Sequence, residues 1–307
     1  MTLVRACTLA AGVLAMASAA TTAHAQQLTD LSGYWHTPLF EDNLDRGDGP
    51  AVGEWVGLPL NAAGRRAAEA WDAAILSVPE HQCQDYPADY ASNSVAPISI
   101  WKDMEPESHN VLAWHFRLQW MGGERTIWMD GRAHPPEDAP HTWLGFSTAK
   151  WDRGTLVVTT THLKHTWLRR NGPPRSDRAT LIEHITRHDN VLTIVTTIID
   201  PVYYTEPVVR SRDFLYNPNQ TMGSFVCETV EEVARPIGDI PHNLPGQNPY
   251  INTFSIDYRV PIEAARGGAQ TMYPEYRARL LTLPVPEKPA ATPPPAAAPA
   301  RPAPKRR

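Results

Sequence analysis

Cysteine is scarce in this chain of 307 residues, which contains only Cys7, Cys83 and Cys227. Cys7 lies before the apolar part of the N-terminal segment, so it cannot be the acylated cysteine of a lipoprotein. Once that segment is removed, only Cys83 and Cys227 remain. In an oxidising compartment two cysteines are most simply explained by one disulfide. Two buried free thiols are the alternative.

The motifs of common hydrolases and cofactor enzymes are also missing. The sequence has no Gly-x-Ser-x-Gly elbow, no phosphate-binding glycine loop, no dinucleotide fingerprint, no His-Glu-x-x-His and no Cys-x-x-Cys. Acid–base chemistry without an organic cofactor stays possible. His184 and His188 do not predict a metal site, because positions four apart on a strand are separated by about 13 Å. Ligation of a metal by histidines distant in sequence stays open, with His134, His141 and His165 as candidates.

Long apolar runs are confined to the N-terminus. Arg5 is followed by the apolar residues 6–20 and then by Ala23-His24-Ala25. This order of charge, apolar stretch and small-x-small site is the one that signal peptidase recognises. Residues 1–25 are therefore predicted to be a signal peptide, and the mature protein is predicted to be periplasmic or secreted. No later run approaches the roughly 20 apolar residues of a membrane helix, so the mature chain is not expected to span a membrane.

Charge divides the mature chain into two parts. Residues 284–307, rich in proline and alanine, hold five basic residues and one acid. Such a segment is predicted to be a disordered tail, because it cannot bury enough apolar surface to offset its ordering entropy. It is a solubilising segment or a weak contact to the cell envelope. Residues 26–283, predicted to form one domain, hold 22 basic and 32 acidic residues. This acidic balance argues against nucleic acid as a partner.

Period-two alternation of apolar residues predicts a mainly β fold. In the segment 112–120 every even position is apolar, from Leu112 through Trp114 to Trp120. The segments 180–188 and 191–199 flank Asp189-Asn190, a turn that predicts a hairpin. Further strands are predicted at residues 125–129, 145–151, 155–163 and 208–215. Successive strands with short turns indicate an antiparallel barrel or sandwich.

Helix is expected to be rare. Asn61 is a candidate N-cap for a helix from Ala62 to about Leu76. Residues 228–234 and 274–281 are predicted to add short helical turns. The fold class is therefore a lipocalin-like barrel or a sandwich with one or two short helices.

The predicted hairpin assigns two charged residues to its buried face. With a two-residue turn, Glu183 and Arg187 share a face with Leu181, Ile185 and Leu192. Buried charges are costly unless they are paired or used, and a barrel interior is where a ligand would meet them. Glu183 is thus a candidate catalytic residue and Arg187 a candidate ligand-binding residue. The alternative for each is a structural ion pair with some other residue.

Three other groups of polar residues are candidates for the site. His134 and His141 bracket a loop with three prolines, which suits a general acid or base, although His141 could simply pack. Basic residues surround the turn at 171–174 and either steer an anionic substrate or form a solvated loop. Asp200 to Pro207 combines carboxylates and phenols suited to proton transfer or to sugar and phenol recognition, or it is a plain turn. The basic group is Lys164, His165, Arg169, Arg170, Arg175 and Arg178, and the acidic group is Asp200, Tyr203, Tyr204 and Glu206.

Several motifs stand out in the chain, among them His141-Thr-Trp-Leu-Gly-Phe-Ser147, Arg170-Asn-Gly172, Asp200-Pro-Val-Tyr203 with Glu206-Pro207, and the stretch from Arg125 to Arg132. They resemble motifs of a family of exported bacterial proteins whose function is not assigned. The resemblance covers roughly residues 30–230 and implies export but no particular activity. Ser32-Gly33-Tyr34-Trp35 is also similar to the Gly-x-Trp that opens lipocalin barrels.

Two functions of different classes fit these residues. The first is a periplasmic lyase, isomerase or hydrolase that acts on an aromatic or glycosidic molecule, with His134 or His141 exchanging the proton. The second is a lipocalin-like binding or carrier protein for a small hydrophobic or anionic ligand. A third, an envelope-associated structural protein, depends on the tail alone. An open pocket with either histidine within about 3–4 Å of Glu183, Asp200 or Glu206 would favour the enzyme.

Overall fold

The computed structural model describes residues 30–38, 50–91, 96–121 and 123–288. The predicted signal peptide lies outside these ranges, as does the tail beyond residue 288. No helix in the described ranges is both long enough and apolar enough to cross a bilayer.

Nine strands of the described residues form one closed barrel, which confirms the predicted fold class. Around the barrel the strand order is 1, 11, 10, 9, 6, 5, 4, 3, 2, and strand 1 closes the barrel by pairing with strand 2. A separate two-stranded sheet is formed by strands 7 and 8. The strands are β1 (Gly33–His36), β2 (Ile98–Met104), β3 (Val111–Leu118), β4 (Glu124–Trp128), β5 (Phe146–Asp152), β6 (Thr155–Thr161), β7 (Thr166–Trp167), β8 (Pro174–Arg175), β9 (Thr180–His188), β10 (Val191–Ile199) and β11 (Val208–Tyr216).

One pair of neighbouring barrel strands is parallel. β4 and β5 run in the same direction, with Ile127 opposite Ser147, whereas the other neighbours are antiparallel. Parallel neighbours need a connection of about a dozen residues or more. Residues 129–145 provide it and return the chain to the side where β4 began. The sheet is therefore mixed rather than purely antiparallel.

The helices are short. Asn61 caps α1 as predicted, because its Oδ1 accepts a hydrogen bond of 2.9 Å from the amide of Gly64. The predicted extension of this helix to Leu76 is wrong, since α1 ends at Glu69 and Asp72 caps a separate 3₁₀ turn. The helices are α1 (Ala62–Glu69), α2 (Ala88–Ala91), α3 (Thr253–Tyr258), α4 (Ile262–Ala265) and α5 (Tyr276–Leu280), with 3₁₀ turns at Ala73–Ser77, Pro79–His81 and Ala269–Met272.

The β9–β10 hairpin has the predicted register. Val191 pairs with His188 and Thr196 pairs with Glu183, and Asp189 adopts a φ of 53° in the turn. A slip by one residue would move every side chain of the strand to the opposite face. The register therefore decides that Glu183 points into the barrel, where it is 1% exposed.

β3 departs from the predicted alternation at its ends. Leu112 and Trp120 were expected to be buried, and they are 36% and 43% exposed. The pairing of β2 with β3 shifts at Asp103 and Met104, which breaks the alternation near Leu112. Trp120 lies beyond the last residue of the strand. The central Trp114 is buried as predicted.

Apolar side chains fill the barrel interior. Trp35, Trp114 and Phe214 are at most 1% exposed and belong to one cluster. A second cluster packs Ala68 of α1 against barrel residues that include Leu181. Fully burying each large side chain stabilises the fold by roughly 1.5–3 kcal/mol. The barrel is thus a packed core.

Residues 217–252 contain no helix or strand, and we call this segment the strap. Cys227 of the strap forms the predicted disulfide with Cys83. The neighbouring Gln82 side chain accepts from the amide of Val230 at 2.7 Å and donates to its carbonyl at 3.0 Å. These bonds occupy the backbone groups that a helix would use, so the helical turn predicted at 228–234 is wrong. The turn predicted at 274–281 is confirmed by α5.

Candidate functional site

Glu183 and Arg125 form a buried ion pair inside the barrel. Their side chains are 1% and 7% exposed, and Nη2 of Arg125 donates to Oε2 of Glu183. Nε of Arg125 donates to Oγ of Ser147 at 3.0 Å, and that oxygen lies 2.9 Å from Oγ1 of Thr160. The pair lines a cavity of about 30 Å³, which has room for about one or two water molecules but not for an organic ligand. The arrangement matches the structural alternative for Glu183.

Arg187 has a different environment from Glu183. Its Nε donates to the carbonyl of Asp189 at 2.9 Å, and its guanidinium lies 5.1 Å from the ring centre of Trp35 and 5.5 Å from that of Tyr216. Four residues along a strand span about 13 Å, so Glu183 and Arg187 do not hold one ligand group between them. Arg187 packs over the aromatic rings at the end of the hairpin.

His134 and His141 tie the proline-rich loop to the outside of the barrel. Nδ1 of His134 lies 2.7 Å from Oγ1 of Thr161, and Nε2 lies 2.9 Å from Oγ1 of Thr148. Nδ1 of His141 donates to the carbonyl of Leu163 at 2.9 Å. The hydrogen-bond partners of both rings are hydroxyl or carbonyl oxygens. Neither histidine is hydrogen-bonded to Glu183, Asp200 or Glu206 in the described part of the chain.

His162 completes a hydrogen-bond chain whose directions follow from its ends. Nε2 of His162 lies 2.9 Å from the carbonyl of Pro136, which can only accept, so this nitrogen donates. In a neutral ring Nδ1 must then accept from the hydroxyl of Thr161, 2.7 Å away. Thr161 accepts in turn from Nδ1 of His134, whose Nε2 accepts from Thr148. Burial, and secondarily repulsion from His162, lowers the pKa of His134, which agrees with a neutral ring.

Asp200 fixes a turn. It is 3% exposed, and its Oδ1 accepts from Oγ of Ser176 at 2.8 Å and from the amide of Val202 at 2.9 Å. Its Oδ2 accepts from the amide of Ser176 at 2.7 Å. Both carboxylate oxygens are therefore used by the backbone around them, as expected of a structural aspartate.

The other residues of the 200–207 segment do not share one pocket. The hydroxyl of Tyr204 donates to the carbonyl of Pro174 at 2.8 Å, and burial raises the pKa of this phenol. The carboxylate of Glu206 accepts from the hydroxyl of Tyr273, whose oxygen lies 2.9 and 2.8 Å from the two carboxylate oxygens. The ring of Tyr203 meets that of His165, with centres 5.9 Å apart. Lys164 lies over the ring of Trp143 at 5.1 Å.

A second and much larger cavity lies outside the barrel, and we call it the aromatic cleft. Its volume is about 400 Å³, within the usual range of small-molecule sites. Trp71 and Trp167 meet edge to face with ring centres 4.6 Å apart, and Tyr86 and Tyr90 lie 4.8 Å apart. The lining residues are Trp71, Leu76, His81, Gln82, Cys83, Gln84, Asp85, Tyr86, Pro87, Tyr90, Met121, Trp143, Thr166, Trp167, Arg169 and Arg170.

The charged and titratable residues that line the aromatic cleft come from two segments of the chain. Arg169 and Arg170 follow β7, and Nη2 of Arg170 donates to the hydroxyl of Tyr86 at 3.1 Å. His81 and Asp85 come from the segment before α2. Burial lowers the pKa of His81 and raises that of Asp85. In both cases burial favours the neutral form of the side chain over the charged form.

The walls of the aromatic cleft are fixed by contacts to β8, to the connection between β4 and β5, and to the strap. Asp89 of α2 pairs with Arg175 at 3.2 Å, and both side chains are at most 1% exposed. The amide of Ala88 donates to the carbonyl of Trp143 at 3.3 Å. Asn243 of the strap donates to the carbonyl of Trp71, another lining residue, at 2.7 Å. These contacts fix the residues around the cleft. None of the residues that line it belongs to a barrel strand.

Of the predicted site residues, Arg170 lies in the aromatic cleft, together with Arg169 from the predicted basic group. Lys164 reaches its edge through Trp143. Sequence reasoning missed the aromatic walls, for which the one signal was tryptophan outside the predicted strands, as at Trp71 and Trp167. Among the described residues, no group of histidines, cysteines and carboxylates is arranged to hold a metal ion. No family model, curated protein or solved structure matches the chain.

Proposed function

We propose that this protein binds a small organic molecule in the aromatic cleft and works as a binding or carrier protein in the periplasm or outside the cell. The single observation that carries this proposal is a cleft of about 400 Å³ with three tryptophans and two tyrosines in its walls. Ligand sites are usually concave and mostly apolar, with a few polar groups that orient the ligand. The predicted signal peptide and the disulfide support the location.

The mode of binding differs from that of a lipocalin-like barrel. A lipocalin-like protein holds its ligand inside the barrel, but here the interior cavity measures about 30 Å³. Of these two cavities among the described residues, only the cleft is large enough for such a ligand, and its walls lie outside the barrel strands. The environments of His134 and His141 also favour binding over catalysis, because both rings are hydrogen-bonded to hydroxyl or carbonyl oxygens.

The test is titration of the mature protein with N-phenyl-1-naphthylamine, a neutral aromatic dye that fluoresces when it leaves water. We expect saturable binding that the Trp167→Ala variant weakens by about tenfold, the effect of losing one aromatic wall. Trp151→Ala is the matched control, because Trp151 is 36% exposed and lies outside the cleft. Equal affinity in the Trp167 and Trp151 variants would refute the cleft as the binding site.

Acid–base catalysis in the same cleft is the second candidate. It is favoured by His81 and Asp85, which both line the cleft, and perturbed pKa values are common at catalytic sites: burial lowers the pKa of His81 and raises that of Asp85. Mass spectrometry of phenyl glycosides incubated with the protein tests it. Product formation that Asp85→Asn abolishes, with dye binding retained, would establish catalysis.

A further inference from the structure

We infer that the aromatic cleft selects ligands that carry an acidic group, and that Arg169 and Arg170 bind this group while the aromatic walls hold the ring. The inference rests on the proposed function, because it assigns the ligand class of the same cleft. It would make the natural ligand an aromatic acid, such as a carboxylate or a sulfonate on one or two rings.

The first observation is that the two arginines are available to a ligand. In the described part of the chain, no carboxylate lies within ion-pair distance of Arg169 or Arg170. The hydrogen bond from Arg170 to the hydroxyl of Tyr86 uses one nitrogen of its guanidinium. Arginine has five N–H donors in a planar fork that matches a carboxylate or sulfonate. The remaining donors can therefore bind an anion beside the ring of Tyr86.

The second observation is an excess of positive charge next to these arginines. Arg175 is paired with Asp89, which also attracts Arg210, and Arg210 donates to the carbonyl of Leu168 at 3.2 Å. One carboxylate thus faces several arginines. Burial, and secondarily repulsion from Arg169, lowers the pKa of Arg210 to about 10. An anion bound at Arg169 would offset this repulsion. A neutral or cationic ligand would not reduce the repulsion between Arg169 and Arg210.

The third observation places the acidic group within the cleft. Asp85 comes from the segment before α2, and its charge opposes an anion bound beside it. The acidic group is therefore expected at Arg169 and Arg170, and the rings beside Trp71 and Trp167. A cavity of about 400 Å³ has room for one or two fused rings with a substituent.

Two dyes with the same ring system separate the acidic group from the rings. 1-Anilinonaphthalene-8-sulfonate is N-phenyl-1-naphthylamine with a sulfonate added. We expect the sulfonate dye to bind the mature protein at least about tenfold more tightly than the neutral dye, the effect of one charge-assisted hydrogen bond. The preference should decrease as salt is added, because salt screens partly exposed charges.

The variants assign the preference to the cleft. Arg169→Gln combined with Arg170→Gln should abolish the preference, so that the two dyes bind this variant with affinities within about twofold of each other. Thermal unfolding followed by circular dichroism checks that the variant is folded. Arg178→Gln is the matched control, since Arg178 belongs to the same basic group but is 68% exposed and does not line the cleft. It should keep the full preference.

The outcomes separate this inference from the proposed function. If both dyes bind the wild type equally, or if the preference survives in the double arginine variant, the acidic-ligand inference is wrong while the cleft remains a binding site. If neither dye shows saturable binding that depends on Trp167, the proposed function itself is wrong.

Discussion

The interior of the barrel and the aromatic cleft use polar groups in opposite ways. Inside the barrel, Glu183 pairs with Arg125 among packed apolar side chains, beside a cavity of about 30 Å³. In the cleft, Arg169 and Arg170 stand next to aromatic walls and about 400 Å³ of open space, and no described carboxylate pairs with them. Charge that is matched within the protein stabilises one conformation. Charge that is left unmatched at an open surface is available to a ligand.

The barrel and the cleft also differ in the parts of the chain that form them. The strands are locked by their pairing and by the core, whereas the cleft is built from the segments between them. Binding residues are often carried by loops on a rigid scaffold, since the loops can vary without disturbing the core. The charged residue predicted to face the barrel interior is paired within the protein, whereas the arginines beside tryptophan line an open cleft.

Breaking the buried ion pair is the strongest test of this contrast. Glu183→Gln leaves the Arg125 guanidinium buried without a countercharge, so we expect the free energy of unfolding to fall by about 3–5 kcal/mol. Urea denaturation followed by circular dichroism measures the change. Dye binding in the cleft, measured where the variant is still folded, should stay within about twofold of the wild type.

Two variants control this prediction. Glu124→Gln removes an exposed carboxylate next to Arg125 in sequence and should change stability by less than about 0.5 kcal/mol. Replacing both partners, Arg125→Met with Glu183→Leu, should recover most of the lost stability, because no buried charge remains. Dye affinity that falls along with stability in the Glu183 variant would mean that the interior belongs to the ligand site after all.

Removal of the disulfide should affect the scaffold and the cleft together. The bridge joins residues 144 apart in sequence, and Cys83 itself lines the cleft. We expect Cys83→Ala with Cys227→Ala to lower the free energy of unfolding by about 2–5 kcal/mol. Dye affinity should fall as well, since the covalent link between the strap and this wall is lost and the hydrogen bonds between Gln82 and Val230 hold it less firmly.

Reduction of the wild type with dithiothreitol is the matched experiment. It should reproduce both losses, and the same treatment should leave the double alanine variant unchanged. A variant that loses stability but binds the dye normally would show that the strap does not shape the cleft.

The predictability of the fold and of the site differs for a physical reason. The β9–β10 hairpin could be predicted with its register because Asp189-Asn190 defines the turn and the alternation on both sides defines the faces. β1 was missed because Gly33–His36 has only four residues and pairs with β2 and β11, which are distant in sequence. Alternation in β4 does carry the signal that Arg125 and Ile127 point inward, but the strand is short.

The cleft could not be predicted in the same way. Its walls come from residues 71–90, Met121, Trp143 and residues 166–170, which have no common periodicity. They meet only because the barrel brings the ends of several strands together and because Arg175 holds α2 through Asp89. Composition around residues 164–178 did identify the basic group, but not which two of its arginines face open space.

The smallest expected effect concerns the histidines that hold the loop leading to Trp143. Because the pKa of His134 is lowered in the folded state, the unfolded chain binds the proton first as the pH falls. This contribution to stability is present above pH 6.5, the ordinary histidine pKa, and decreases as the pH falls below it. We expect a loss of a few tenths of a kcal/mol by pH 5.5, since the ring is partly solvated.

Urea denaturation at pH 7.5 and 5.5 measures this effect in the wild type and in His134→Gln. The variant should show a smaller difference between the two pH values, and Thr148→Ser, which keeps the hydroxyl donor to Nε2, should behave as the wild type. An NMR titration of the His134 ring gives an independent measurement, and a midpoint above pH 6.5 would contradict the neutral hydrogen-bond chain. Because this chain anchors the loop that ends at Trp143, dye affinity should weaken over the same pH range, more in the wild type than in the variant.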